Sequence, residues 1–194
     1  MSPQRSNREL LVEGTLRCLE RLPPERVTAR AIVAESGANL ASIGYHFESK
    51  DRLVTEAVIA GLDRWLDEVA AALDGLASDD AGERLRRAGE VIDATRRRHA
   101  GLAMNFVGAL ARAQHEPRVR DLLADGFRRT RPALAGILGL GGDAAGEDAA
   151  GLVHSMFTGL LFQALLDPGL AIEGERLERA QARLRDALPR RRSS

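Results

Sequence analysis

The stretch "TARAIVAESGANLASIGYHF", residues 28–47, contains two short helical patterns separated by a break. Thr28 is a good N-cap, because its hydroxyl can accept from an unpaired N–H at a helix start. Gly37 is the residue best able to take the left-handed conformation that closes a helix. The segment between them is only about two turns long. Asn39 then caps a second short helix running to about Phe47. Two short helices joined by a glycine-containing turn make a helix-turn-helix, whose second helix can lie in the major groove of DNA. Ile32, Ala38, Ile43 and Phe47 supply apolar positions that would hold the pair against the preceding helix and Leu53. Leu40, Ala41, Ser42, Gly44 and Tyr45 have no evident core role and are expected to face outward.

Outward from this unit the chain reads as helix almost throughout. Beta-branched and aromatic residues are sparse, period-two alternation is missing, and Ala, Leu, Arg and Glu dominate. Upstream, Leu11, Thr15, Leu16, Leu19 and Leu22 fall at helical spacing, and Pro23 with Pro24 ends that first helix. Downstream, Ser49 caps a long fourth helix on which Val54, Val58, Leu62, Trp65, Val69 and Leu73 recur. The cluster "DGLASDDAG" reads as a loop, and further helices are expected at 81–98, 101–113, 118–138, 146–166 and 174–188. Pro117, Pro168 and Pro189 stand near helix ends, whereas Pro132 falls inside a pattern and is expected to kink it. The expected architecture is all-α: an N-terminal three-helix helix-turn-helix domain, joined by a long helix to a C-terminal helical domain. The division falls near residue 50, giving a helix-turn-helix domain over 1–50 and a second domain over 51–194.

With 28 basic against 28 acidic residues in 194, net charge gives no support to wrapping of a polyanion. Cys18 stands alone, which excludes an internal disulfide and a cysteine metal cage. No apolar signal segment opens the chain, and no uninterrupted run of about 18 apolar residues occurs, so a cytoplasmic protein that does not span a membrane is expected. His46, His99, His115 and His154 are scattered, no HExxH pair occurs, and no phosphate-cradling glycine motif follows a strand. An enzyme is therefore not expected, nor a metal or cofactor.

Thr28, Ile32, "SGAN", Ile43, "YHF", Lys50 and Leu53 agree in order and spacing with a family pattern across about 25 residues. On these residues the chain resembles the tetracycline repressor (TetR) family of bacterial transcription regulators. It departs from the pattern at Gly44, where many members carry tyrosine, and at "AN", which replaces the commoner Val-Ser while keeping an N-cap. The resemblance implies that Thr28, Tyr45, His46 and Lys50 clamp phosphates of double-stranded DNA, and that Arg30, Leu40, Ala41 and Ser42 approach base edges. Asn39, at the start of the reading helix, belongs to the same DNA-binding set. A phenol, an imidazole N–H and an ammonium are all donors suited to phosphate oxygens, which gives a reason for placing Tyr45, His46 and the chain's only lysine so close together. Arg5 and Arg8 could extend the set as an arm.

The segment "EDAAGLVHSMFTGLLFQALLD" is apolar around most of its circumference. Such a helix must bury two faces, and a second copy of the chain can cover one. Gly151, Ser155 and Gly159 form a track of small residues, and Phe162, Leu166, Leu177, Leu184 and Leu188 extend the expected homodimer surface of helices eight and nine. A two-fold dimer would read an inverted repeat. The resemblance also implies a small, mostly apolar ligand inside the C-terminal domain. Trp65, His99, Met104, Phe106, Phe127, Met156, Phe157 and Phe162 are the candidates to line its site, with Arg96, Asn105 and Gln163 as further polar groups. The expected function is a ligand-released repressor; the alternatives are an activator, or a helical interaction module that keeps the helix-turn-helix as scaffold only.

Overall fold

The computed structural model describes residues 6–74, 76 and 80–187. Among them the ordered elements are helical and no strand occurs. The helices are α1 (Asn7–Arg21), α2 (Ala29–Ser36), α3 (Leu40–Phe47), α4 (Lys50–Leu73), α5 (Ala81–Thr95), α6 (Ala100–Arg112), α7 (Pro117–Leu138), α8 (Ala144–Leu166) and α9 (Glu175–Ala187), with single 3-10 turns at Pro24–Arg26 and Pro168–Leu170.

The ends of the short helices follow from local hydrogen bonding. Thr28 Oγ1 accepts from the Ala31 N–H at 3.1 Å, Asn39 Oδ1 from the Ser42 N–H at 2.9 Å, and Ser49 Oγ from the Arg52 N–H at 3.1 Å. Gly37 closes α2 at φ 71°, a conformation that costs a side chain about 1 kcal/mol or more and glycine almost nothing. α1 starts one turn earlier than its apolar pattern, because Ser6 and Glu9 form a reciprocal capping box. α7 runs unbroken through Pro132. The loop between α4 and α5 lies partly outside the described residues, as do Arg5, Leu188, Pro189 and the Arg190, Arg191 and Arg192 run.

One core cluster runs from the helix-turn-helix into the helices that follow it. Leu11, Ile32, Ile43, Phe47, Leu53 and Val58 pack in continuity with Leu102, Phe106 and Ala109 of α6 and with Val119 and Leu123 of α7. A second cluster, at the far end of α4, gathers Trp65, Val69 and Leu73 with Ala88, Leu134, Leu138 and Ala150. α4 therefore belongs to both, and apolar packing is not interrupted at residue 50.

The join depends on a close crossing of α1 and α6. A Cβ built on Gly101 would sit 1.9 Å from the Leu19 carbonyl oxygen, a backbone atom that cannot swing aside. Gly101→Ala is expected to force the helices apart and destabilise the chain by about 1–3 kcal/mol in denaturant unfolding. Gly136→Ala, where a Cβ meets nothing within 4 Å on α7, is the control and should stabilise by up to about 1 kcal/mol.

α8 is long and apolar enough to cross a membrane, by length and composition alone. Its inward face packs on α7 and on the second cluster through Ala150, Val153 and Leu161. Along the other face Leu152 is 75% exposed and Leu166 85% exposed, and no atom lies within 4 Å of a Cβ on Gly159. No residue of α9 is buried.

Candidate nucleic-acid interface and internal cavity

α3 is fixed on one side and bare on the other. Ile43 and Phe47 are buried, while Leu40, Ala41, Gly44 and Tyr45 face solvent, and Tyr45 is 85% exposed. Phe47 seats the helix: its ring is fully buried, and the Arg8 guanidinium lies over it at 5.2 Å. The Tyr45 and His46 rings meet edge to face at 4.8 Å, which leaves the phenol on the solvent side. Thr28 and Arg30, at the start of α2, are exposed, and Lys50 is half-buried in the first turn of α4. Lys50 Nζ lies 2.9 Å from Asp51 Oδ1, so this cation, placed against the favoured polarity of a helix start, has a local counter-charge. An incoming phosphate could displace that carboxylate and gain the helix N–H groups as well.

Two sequence expectations change here. Ser42 is buried, and its hydroxyl donates to Asn39 Oδ1 at 3.0 Å. It therefore completes the helix cap together with Asn39 and has no bare face for a base edge. Arg8 is no free arm, because it lies within α1 and its guanidinium pairs with Glu56 on α4.

The second feature is a cavity of about 160 Å³ lined by α4, α5, α6, α7 and α8. Trp65, Phe106, Phe127, Phe157 and Phe162 line it, together with Leu62, Leu66, Ile92, Leu134 and Leu161. The Phe106 ring lies 5.9 Å from Phe127 and 6.2 Å from Phe162. The Trp65 indole N–H donates to Thr95 Oγ1 at 2.8 Å, so only its ring faces the space.

Three of the expected lining residues are elsewhere. His99 stacks behind Trp65 at 4.6 Å with Nε2 towards Glu68, outside the cavity. Met104 is 46% exposed on the outer face of α6, and Met156 points away from the lined space. Arg96 pairs with Glu173, and Asn105 donates to the Gly101 carbonyl; neither reaches the cavity, nor does Gln163. The sequence reading missed Asp63, Thr130, His154 and Thr158, which supply its polar lining. Burial, and secondarily the Arg131 charge, holds the His154 imidazolium below its ordinary range, so the ring is neutral at physiological pH.

The expected dimer track also divides. Gly151 faces the Arg131 guanidinium of the same chain, Phe162 lines the cavity, and Leu177 packs towards Gly89 of α5. Gly151 and Gly159 differ because a step of four residues on α8 turns the row by about 40°, so it drifts across the face; Phe162 lies off that row and Leu177 belongs to α9. Ser155, Gly159, Leu166 and Leu184 remain on the outside, joined by Leu152. Among the described residues no group of three or more His, Cys, Asp or Glu is placed to hold a metal ion.

A bare reading helix seated on a helical body is the architecture of a helix-turn-helix DNA-binding protein. Residues 11–57 match the model for bacterial regulatory proteins of the tetR family. Residues 11–57 thus form a tetR-family helix-turn-helix, and the whole chain has the fold of a tetR-family transcriptional regulator. Similar solved structures include a protein assigned as a transcriptional regulator from Pseudomonas aeruginosa PAO1, 26% identical over 83% of this chain and 80% of that one, with a TM-score of 0.61. A regulator from Saccharomonospora viridis, solved in complex with choline, is 25% identical over 82% and 85%, with a TM-score of 0.58. A TetR transcription regulator from Haloarcula marismortui ATCC 43049 shares the fold at 18% identity over 93% and 95%, with a TM-score of 0.62. No curated protein matches the chain.

Proposed function

We propose that the chain is a homodimeric cytoplasmic repressor that binds an inverted-repeat operator in double-stranded DNA and leaves it when a small molecule fills the cavity. The observation that carries the DNA reading is the split within the last turn of α3: Phe47 is fully buried, while Tyr45, two positions earlier, is 85% exposed with its phenol facing solvent. Residues 1–50 read the operator, and residues 51–194 pair the subunits and hold the ligand. Thr28, Tyr45, His46 and Lys50 grip phosphates, and Arg30 with Leu40 and Ala41 faces the bases. Asn39 holds the reading helix in shape through its Oδ1 and offers its amide N–H groups to the backbone of the DNA.

The outer stripe of α8 and α9 pairs two copies, which sets the separation of the two heads. Because α4 lies in both core clusters, a molecule wedged against Trp65 and Leu62 can shift α4 and with it the head. A ligand coupling of this kind typically amounts to about 1–3 kcal/mol, and operator DNA must weaken the ligand equally. The choline held by the relative from Saccharomonospora viridis is consistent with a small organic effector here.

Tyr45→Ala and Lys50→Ala are expected to weaken binding to every DNA sequence alike. Lys50→Ala should also flatten the dependence of log affinity on log salt by about one unit, read by fluorescence anisotropy across a salt series. Arg30→Ala should instead relax the preference at one base pair per half-site, by about 1–3 kcal/mol. A changed base preference in Lys50→Ala would remove Lys50 from the clamp.

A further inference from the structure

We propose that the cavity takes an uncharged, flat, mostly apolar molecule of one or two rings, oriented by a single hydrogen bond to His154. The inference rests on the sensory role given to the cavity above and names the chemistry of its occupant. Size sets the first limit. An apolar void of about 150 Å³ accepts a benzene molecule, and this one measures about 160 Å³. Shape sets the second limit, because the walls are aromatic rings and branched aliphatic chains that favour a flat occupant.

Charge decides the class. Asp63 and His154 are the titratable residues among the lining. Asp63 is half exposed and lies 3.6 Å from the Arg129 guanidinium, so its charge is already answered and solvated. A cation in the cavity would find no unpaired anion. A carboxylate would meet a neutral imidazole, since burial and then Arg131 hold the ring uncharged. His154 is the group that lacks something. It is half-buried and its ring lies 5.3 Å from the Phe127 ring, yet no described residue gives it a hydrogen bond. Its ring nitrogens are therefore free to pair with one donor or acceptor on an occupant of the cavity. Thr158, one turn further along α8, borders the same space.

The test uses the full-length chain without DNA and four probes read by titration calorimetry: indole, its isostere indene without the N–H, benzoate and benzyltrimethylammonium. Indole is expected to bind about tenfold more tightly than indene, with neither ion binding measurably. His154→Leu, close in volume, should remove the difference by weakening indole while leaving indene unchanged or tighter. His154→Gln, which can still accept a hydrogen bond, should restore part of it. Equal binding of indole and indene by the native chain, an unchanged gap in His154→Leu, or preference for either ion overturns the proposal. Repeating the titration with operator DNA bound separates the two readings. Indole held through His154 without DNA release upholds the ligand class and removes only the sensory role.

Discussion

A chain carrying Leu152→Glu together with Leu166→Glu is expected to sediment as a monomer at concentrations where the native chain sediments as a dimer. Its affinity for a full inverted repeat should fall by at least about 100-fold. Both leucines are mostly solvent-exposed within one chain, at 75% and 85%, so neither change removes a contact that holds the subunit together. The unfolding midpoint of the isolated subunit should therefore move little, since exposed positions usually contribute within about 0.5 kcal/mol. In a two-fold dimer each substitution is made twice. Four leucines at roughly 1.5–3 kcal/mol each place about 6–12 kcal/mol of burial at stake, before the cost of placing like charges together. Loss of pairing reaches the DNA because two linked heads bind the second half-site intramolecularly, at an effective concentration in the millimolar range, and an unpaired head does not. A native chain that sediments as a monomer, or a variant that remains dimeric, would remove the outer face of α8 from the interface.

Much of the fold was readable because its short helices announce their own ends. Thr28, Asn39, Ser49 and Gly37 do in the structure what their side-chain chemistry predicts, and the spacing of Ile32, Ile43 and Phe47 places them in the core. Ser42 was misread for a local reason. It lies three residues after the capping Asn39, where a short polar side chain can turn back on the cap instead of facing out.

The cavity was harder to read, because composition identifies large apolar residues without saying which side of a helix meets which neighbour. On α6, Ala103 and Phe106 line the cavity while Met104 and Val107 stand exposed, and all four are apolar. His154 could not be singled out, because its meaning depends on α7 supplying Phe127 and Arg131 beside it. The continuity of the head with α6 and α7 was also out of reach, since it depends on the approach of Gly101 to Leu19, far apart in sequence.

Phe47→Ala is expected to cost about 3–5 kcal/mol in denaturant unfolding, a large share of the stability of a chain this size. The ring is completely buried where α3 meets α1 and α4, and it also carries the Arg8 guanidinium, whose pairing with Glu56 ties α1 to α4. The void left by the ring cannot close without moving α3, so the reading helix should lose its fixed seat and operator affinity should fall along with stability. Tyr45→Ala gives the sharpest contrast. That substitution is expected to change stability by less than about 0.5 kcal/mol while weakening DNA binding. Measuring both quantities for both variants separates seating from gripping. If Tyr45→Ala also destabilised by several kcal/mol, the tyrosine would be a structural ring and the exposed face of α3 would lose its claim on the phosphates. If Phe47→Ala left DNA affinity intact, the head would not need the shared core to hold its pose, and the route from the cavity through α4 to the operator would fail with it.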